Sequence, residues 1–114
     1  MWKAFFAVLV CFAAGAVLAE PPAPAIATCN RVKVGQCVEY RKLDAQGLSA
    51  MKDACAKGEG DVWTEGKPCP KEKQLGHCAL ELLGSVTDKF FYPPATVASA
   101  KELCSMLGLE FVAK

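Results

Sequence analysis

The sequence predicts a small, disulfide-stapled α+β domain in which a short antiparallel sheet carries two helices on one side. Two observations lead to this fold class. Six of the seven cysteines follow an apolar N-terminal run, as in exported chains that depend on disulfides. Their spacing also recurs, because a cysteine, a Gly-x-Cys and a third cysteine occur in residues 29–68 and again in residues 69–114. The recurrence predicts two duplicated strand–helix–strand units within a single domain, residues 29–114.

Residues 1–19 have the composition of a secretory signal peptide. Lys3 gives a weakly basic start, Ala4 to Leu18 are apolar and uncharged, and Ala19 ends the run with a small residue. The run is short for a membrane span of about 20 residues, so we expect cleavage after Ala19 rather than a membrane anchor. The protein is therefore expected to be secreted or periplasmic, with no membrane span once the signal is removed.

Residues 20–28 are interpreted as a proline-rich spacer. Three prolines in the stretch EPPAPAIA exclude a helix or a central strand. The domain that follows is small, and a core of this size is marginal without covalent help. One disulfide closing a loop the size of that between Cys37 and Cys55 contributes roughly 3 kcal/mol in the chain-entropy model.

The first unit is predicted to contain a strand around Cys37, a helix and a short second strand. The helix is predicted because Leu48, Met51 and Cys55 recur on one helical face, and Gly58 is the expected stop. The predicted elements are strand 34–40, helix 45–57 and strand 62–64.

The second unit is predicted to repeat this order with longer strands. Gly84-Ser85 separates two strand patterns and indicates a hairpin. Pro93-Pro94 is expected to open a helix, since proline is tolerated in a first turn, and Gly108 is expected to end it. The predicted elements are strands 76–83 and 86–92, a helix up to Gly108 and strand 109–112, which gives a sheet of about five short strands.

Six cysteines allow fifteen pairings, and the predicted elements favour one set. Each helix carries one cysteine on its apolar face and each preceding strand carries another, which favours Cys37–Cys55 and Cys78–Cys104. Cys29–Cys69 would then tie equivalent points of the two units. A second set also respects the repeat, namely Cys29–Cys55, Cys69–Cys104 and Cys37–Cys78, and the sequence leaves both open. If all six cysteines are paired, three in each unit require at least one disulfide between the units.

Several short motifs follow one another along residues 29–112: Cys37-Val-Glu-Tyr40, Trp63 ahead of Cys69-Pro70, Gly76-His-Cys78, Phe91-Tyr92-Pro93 and Ala100-Lys-Glu-Leu-Cys104. In this order they resemble small exported bacterial cysteine-rich proteins with a repeated C…GxC…(F/Y)Y…A…C…GGxW pattern. The sequence departs from that pattern at the glycine pair, with Gly58-Glu-Gly60 in the first unit and Gly108 alone in the second. The resemblance implies an exported compartment and a fold, and it implies neither an activity nor site residues.

Charge and motifs argue against several classes of function. Without residues 1–19, 12 of the 13 basic residues face 12 acidic ones, so the concentrated basic footprint of a nucleic-acid-binding protein is missing. No cysteines stand two to four residues apart, which disfavours zinc. Glu59 and Asp61 lie in a glycine-containing turn with too few ligands for calcium. No phosphate loop or hydrolase motif occurs, so we expect no metal, no cofactor and no catalytic residue.

His77 is the single histidine and is in principle a general base. In a strand, His77 and Cys78 point to opposite faces, so no thiol–imidazole pair is expected, and His77 is interpreted as an ordinary sheet-face residue.

Two groups of residues are candidates for binding. Phe90 and Tyr92 share one face of a predicted strand, and exposed aromatic side chains can mark a binding site. The alternative is that Phe91 fills the core while Lys89 and a neighbouring strand screen the other two. Lys67 and Lys71 lie in the second candidate, a loop at residues 64–74 that prolines and Cys69 would hold in one shape.

The sequence thus favours a non-enzymatic, secreted or periplasmic domain with a binding or structural role in the cell envelope, its partner an unknown protein or envelope component. The alternative is a secreted inhibitor or effector that presents loop 64–74 to a partner protein, because a pre-organised loop lowers the ordering cost of binding.

Overall fold

The structure, a computed structural model, describes residues 26–114. These residues form an antiparallel sheet of six strands with two α-helices. The predicted α+β class is confirmed. The predicted signal peptide and most of the predicted spacer lie outside the described residues. The strands are β1 (Ala27–Arg31), β2 (Gln36–Arg41), β3 (Val62–Glu65), β4 (Gly76–Leu82), β5 (Ser85–Phe91) and β6 (Val112–Ala113), and the helices are α1 (Ala45–Ala56) and α2 (Val97–Met106).

The order of the strands across the sheet is β3-β1-β2-β5-β4-β6. β1 and β2 form one hairpin, β4 and β5 form another, and β2 pairs with β5 at the centre. The short strands β3 and β6 return beside β1 and β4, at the two edges. β1 was not predicted, because the prolines ahead of it suggested a spacer that reached residue 28.

Side-chain caps fix where the helices begin. Asp44 accepts a hydrogen bond from the backbone N–H of Gly47 at 2.7 Å and starts α1, as aspartate commonly does. Thr96 and Ser99 form a reciprocal capping box that starts α2 at Val97, and this arrangement satisfies two backbone N–H groups at once. The prediction that Pro93-Pro94 opens this helix is therefore wrong, since both prolines precede the cap.

Both helices pack on the same face of the sheet, as predicted. Cys29, Val38, Lys89 and Cys78 are successive cross-strand partners, so their side chains share one face. Cys29 bonds to Cys55 of α1, and Cys78 bonds to Cys104 of α2. We call this side of the sheet the helix face. Each helix is thus bonded to β1 or β4, the strands that flank the central pair β2 and β5.

The disulfides are Cys29–Cys55, Cys37–Cys69 and Cys78–Cys104. Of the favoured set, Cys78–Cys104 is confirmed, while Cys37–Cys55 and Cys29–Cys69 are wrong. Cys37 is the cross-strand partner of Asn30, one residue out of step with Cys29. Its side chain therefore points away from α1 and reaches the loop between β3 and β4. Cys37–Cys69 joins the two predicted units, in agreement with the requirement for at least one such bond.

Apart from a short 3-10 helix at Val32–Val34 in the first half, the two halves of the sheet contain the same elements in the same order, namely two strands, a helix and an edge strand. The disulfide between strand and helix spans 26 residues in both. Residue numbers at matching places differ by 49 (78 − 29 and 104 − 55). Cys29 therefore corresponds to Cys78 and not to Cys69, because Cys69 lies in the loop between the halves. Residue 29 lies in β1, whereas residue 69 lies in the loop between β3 and β4.

The core on the helix face is small. Phe91, Cys78, Cys104 and Ala100 are its buried residues, and Phe111 packs against them. In α2, Ala100 and Cys104 are buried, whereas Val97 at its start and Leu107 just after its end are 41% and 52% exposed. The helices thus pack over β1 and β4 and leave part of the central pair, β2 and β5, uncovered.

Candidate functional site

The side of the sheet opposite the helices carries a pair of buried carboxylates, and we call this side the loop face. Glu39 of β2 and Asp88 of β5 are direct cross-strand partners, and each is 4% exposed. Arg41 lies between them: its Nη2 donates to Glu39 Oε1, and its Nη1 is 3.4 Å from Asp88 Oδ2. Two like charges this close need such a cation, because burial makes an unpaired charge costly.

The remaining carboxylate oxygens are also engaged. The backbone N–H of Cys69 donates to Glu39 Oε2 at 2.8 Å, and His77 Nδ1 lies 2.7 Å from Asp88 Oδ1. All four carboxylate oxygens therefore have a partner, which is the pattern of a polar network that stabilises and specifies a fold. We call Glu39, Arg41, His77 and Asp88 the junction network, because it joins the two halves.

His77 is held by a carboxylate and by an aromatic ring. Its ring stacks on that of Phe90, with centroids 5.0 Å apart, and Cys78 points to the other face, into its disulfide. Within residues 26–114, no hydroxyl or thiol is hydrogen-bonded to the His77 ring. An Asp–His pair without a nucleophile does not make a catalytic triad.

The predicted aromatic binding residues are placed as follows. Phe91 is 1% exposed in the core of the helix face, and Phe90 is 9% exposed beside the Cys37–Cys69 disulfide on the loop face. Tyr92 is half-buried, and its hydroxyl donates to the carbonyl of Pro70. Burial raises the pKa of Tyr92, the hydrogen bond with Gln74 opposes this, and Glu39 adds to it. Lys89 lies on the helix face and does not screen Phe90.

The loop that connects the halves, residues 66–75, is braced across the loop face. Besides Cys37–Cys69, the Pro70 carbonyl accepts from Tyr92 and from Gln74 Nε2. Lys114 Nζ donates to the carbonyl of Lys71 at 2.6 Å. Cys69 is buried while its neighbours are exposed, including the predicted binding residues Lys67 and Lys71. The connecting loop thus presents lysine side chains on a restrained backbone.

A cleft of about 400 Å³ opens on the helix face. Its floor is the central strand pair together with the Cys29–Cys55 disulfide, and its wall is the end of α1 and the turn after it. The residues that line it are Cys29, Arg31, Val38, Tyr40, Ala54, Cys55, Lys57, Gly58, Asp61 and Lys89. A volume of this order is within the range of small-molecule sites.

Lys89 is the distinctive group in this cleft. Its side chain is half-buried, and no carboxylate of the described chain lies within 4.0 Å of its Nζ. Burial lowers the pKa of Lys89 below its ordinary value, and the nearby guanidinium of Arg31 lowers it further. Burial also raises the pKa of Tyr40, which Arg31 partly opposes. A titratable group perturbed in this way inside a cleft is a candidate for binding.

Sequence reasoning missed Lys89 as a site residue, although a signal was present. Thr87, Lys89 and Phe91 alternate along β5, so they share a face, and Phe91 was already a candidate for the core. A lysine on the face of a core phenylalanine indicates either a buried charge or an opening beside it.

One group of metal-ligand residue types converges in the same cleft, namely Cys29, Cys55 and Asp61. The two sulfurs are bonded to each other, so they are not available as thiolate ligands. Asp61 Oδ2 instead lies 3.3 Å from Arg31 Nε.

Comparison with protein-family models, with curated proteins and with solved structures finds no match to this chain. From residue 26 onward, neither helix is long and apolar enough to cross a membrane.

Proposed function

We propose that the protein is a non-enzymatic, exported domain that binds a component of the cell envelope or its surroundings through the cleft on the helix face. The observation that carries the proposal is Lys89, a half-buried cation in a cleft, for which residues 26–114 supply no carboxylate partner. Keeping a charge partly out of water is unfavourable unless something offsets it. A bound ligand supplies that compensation.

The non-enzymatic part of the proposal is supported by how the polar groups are used. The residues best suited to acid–base chemistry, Glu39, Asp88 and His77, are engaged in the junction network. Each carboxylate oxygen of Glu39 and Asp88 already has a partner within the domain.

Export is supported by three disulfides within a domain of this size, because disulfides persist in oxidising compartments. The apolar run at residues 1–19 and the resemblance to small exported cysteine-rich proteins point to the same location.

We also propose that the domain arose by duplication, with the two halves aligned so that Cys29 matches Cys78 rather than Cys69. Its support is the constant difference of 49 residue numbers, which relates Cys29 to Cys78, Glu39 to Asp88 and Cys55 to Cys104 (78 − 29, 88 − 39, 104 − 55). In this register Lys89 corresponds to Tyr40 (89 − 40), so the two halves differ at the floor of the cleft. The proposed binding site therefore requires both halves, since neither half alone contains Lys89 and Tyr40 together.

A second candidate function is that of an inhibitor or effector that presents the connecting loop to a partner protein. The specific observation in its favour is the bracing of residues 66–75 by Cys37–Cys69 and by the hydrogen bonds to Pro70. Such restraint reduces the entropy lost on binding.

Affinity capture with matched variants separates these functions. The exported, oxidised protein is immobilised and exposed to envelope and medium fractions, beside Lys89→Met and the double variant Lys67→Ala/Lys71→Ala. We expect Lys89→Met to lose the captured component and the double variant to keep it. The reverse pattern favours the loop, and turnover of a hydrolase substrate that is abolished by His77→Ala contradicts a non-enzymatic role.

A further inference from the structure

We propose that the ligand of the helix-face cleft is a small organic acid group, with its carboxylate paired to Lys89 and its apolar part against Ala54 and the ring of Tyr40. This inference rests on the proposed function, since it names the chemistry of what the cleft binds. The charges, the lining and the surroundings of the cleft each contribute to it.

Among residues 26–114, the charges of the cleft leave two cations without a carboxylate partner, Lys57 and Lys89, and of these only Lys89 is half-buried. Arg31, Lys57 and Lys89 line it together with a single carboxylate, that of Asp61. Asp61 is engaged by Arg31, and Lys57 is exposed to solvent at the end of α1. Glu39 and Asp88 are close in sequence to the floor but point to the loop face, so they cannot reach Lys89. The cleft therefore lacks one negative charge at Lys89.

The position of Lys89 favours an anion over water as its partner. The Arg31 guanidinium and the desolvation of the lysine both work against the protonated ammonium group, which lowers its pKa. A carboxylate at hydrogen-bond distance reverses both effects, because it restores a polar partner and screens the neighbouring cation. Tyr40, whose pKa is raised, adds a phenol that stays protonated well above neutral pH and is therefore a hydrogen-bond donor.

The surroundings favour a single negative charge over a phosphate dianion. The wall of the cleft is formed by the C-terminal end of α1, at Ala54 to Gly58, where the helix dipole is negative. The Asp61 carboxylate lies on the same side. Both features repel a multiply charged group more strongly than a monoanion, so the cleft is suited to a carboxylate.

The rest of the lining favours an organic body on that carboxylate. Val38 and the Cys29–Cys55 disulfide are buried at the bottom of the cleft, and the exposed Ala54 and the half-buried Tyr40 supply the apolar surface that a ligand can cover. Apolar contact here gains free energy in proportion to the area removed from water. A bare inorganic anion forgoes this contribution.

A carboxylate of this kind has two sources, a free organic acid or the C-terminus of a peptide. Titration calorimetry and backbone NMR shifts on the exported, oxidised protein distinguish them with four probes: benzoate, an acetylated dipeptide ending in a free phenylalanine carboxylate, the same dipeptide as its amide, and inorganic phosphate. We expect benzoate or the free-acid dipeptide to bind and to shift the amides of β2 and β5. The tighter of the two identifies the source.

The matched variants are Lys89→Met, Lys89→Arg and, as a control on the connecting loop, Lys67→Met. We expect Lys89→Met to weaken carboxylate binding by about tenfold or more, as for a lost hydrogen bond to a charged group, Lys89→Arg to retain part of it, and Lys67→Met to leave it unchanged. Melting curves show whether Lys89→Met remains folded, and Lys89→Arg preserves the test if it does not.

The proposal is overturned if the amide-ended dipeptide binds as well as the acid, if phosphate binds more tightly than the carboxylates, or if Lys89→Met binds like the wild type. The proposed ligand class and the proposed function are refuted by different results. Lys89-dependent capture of an envelope component without carboxylate binding refutes the ligand class alone. Capture that does not depend on Lys89 refutes the cleft as the binding site.

Discussion

Replacing Arg41 with methionine tests whether the junction network holds the two halves together. Arg41 is the cation that contacts both buried carboxylates. Methionine keeps much of the length and apolar stem of the side chain but leaves Glu39 and Asp88 facing each other across β2 and β5 without it. The expected result is a large loss of stability with no change in the disulfides.

The magnitude follows from the burial of the partners. The carboxylate side chains are 6% and 5% exposed, and that of Arg41 is 20% exposed. Removing one partner of a buried ion pair costs about 3–5 kcal/mol, and the partial exposure of Arg41 places the expected loss near the lower end, about 3 kcal/mol. For a domain of this size that lowers the melting temperature by about 12–24 °C. The loss is large beside a total stability of about 5–15 kcal/mol.

Denaturant and thermal unfolding of the oxidised protein measure this loss. Arg41→Lys keeps the charge but not the two-pronged contact, so it should fall between the wild type and Arg41→Met. Adding Glu39→Gln to Arg41→Met removes one of the two uncovered charges and should recover part of the stability, as coupled neighbours do. A loss below about 1 kcal/mol for Arg41→Met, or no recovery in the double variant, refutes the idea that Arg41 neutralises the pair.

Three further predictions concern other parts of the domain. Replacing Cys37 and Cys69 together with alanine should cost about 3–4 kcal/mol by the chain-entropy estimate and speed proteolysis within residues 66–75, and unchanged protection there contradicts the bracing role. Gly35→Ala should destabilise the protein far more than Gly66→Ala in thermal unfolding. Both glycines have positive φ, but a Cβ at Gly35 would overlap the Tyr92 carbonyl oxygen, whereas a Cβ at Gly66 meets nothing within 4 Å. Equal losses of stability would show that the overlap at Gly35 is relieved. Since the folded-state pKa of Lys89 is lowered, the unfolded state binds more protons between that pKa and about 10.5, so stability rises with pH in this window. Lys89→Met should therefore be more stable than the wild type at pH 7, and the difference in stability should narrow towards pH 10. A difference that widens with pH contradicts a lowered pKa of Lys89.

Much of the fold was accessible from the sequence because local signals were strong. The spacing of Leu48, Met51 and Cys55 predicted the first helix, and the alternation around Gly84-Ser85 predicted the central hairpin of the second half. The start of α2 was predicted too early, at Pro93-Pro94, because the capping box that Thr96 forms with Ser99 was not recognised from the sequence. Sheet order and disulfide pairing depend on contacts between distant strands, which spacing alone does not determine.

The candidate site was less accessible for the same reason. Lys89 and Tyr40 lie in different hairpins and meet only because β2 pairs with β5. Glu39 and Asp88 gave no sign of being partners, since 48 residues lie between them in the sequence. Lys67 and Lys71 were identifiable because a loop between prolines and a cysteine is a local feature.

The junction network makes the two halves unequal. Each half contributes one carboxylate, but the arginine comes from the first half and the histidine from the second. A dimer assembled from second halves alone would bury two aspartates with no arginine at the seam. The two halves are therefore complementary at this network, because a change at Asp88 in one half alters what is required of Arg41 in the other.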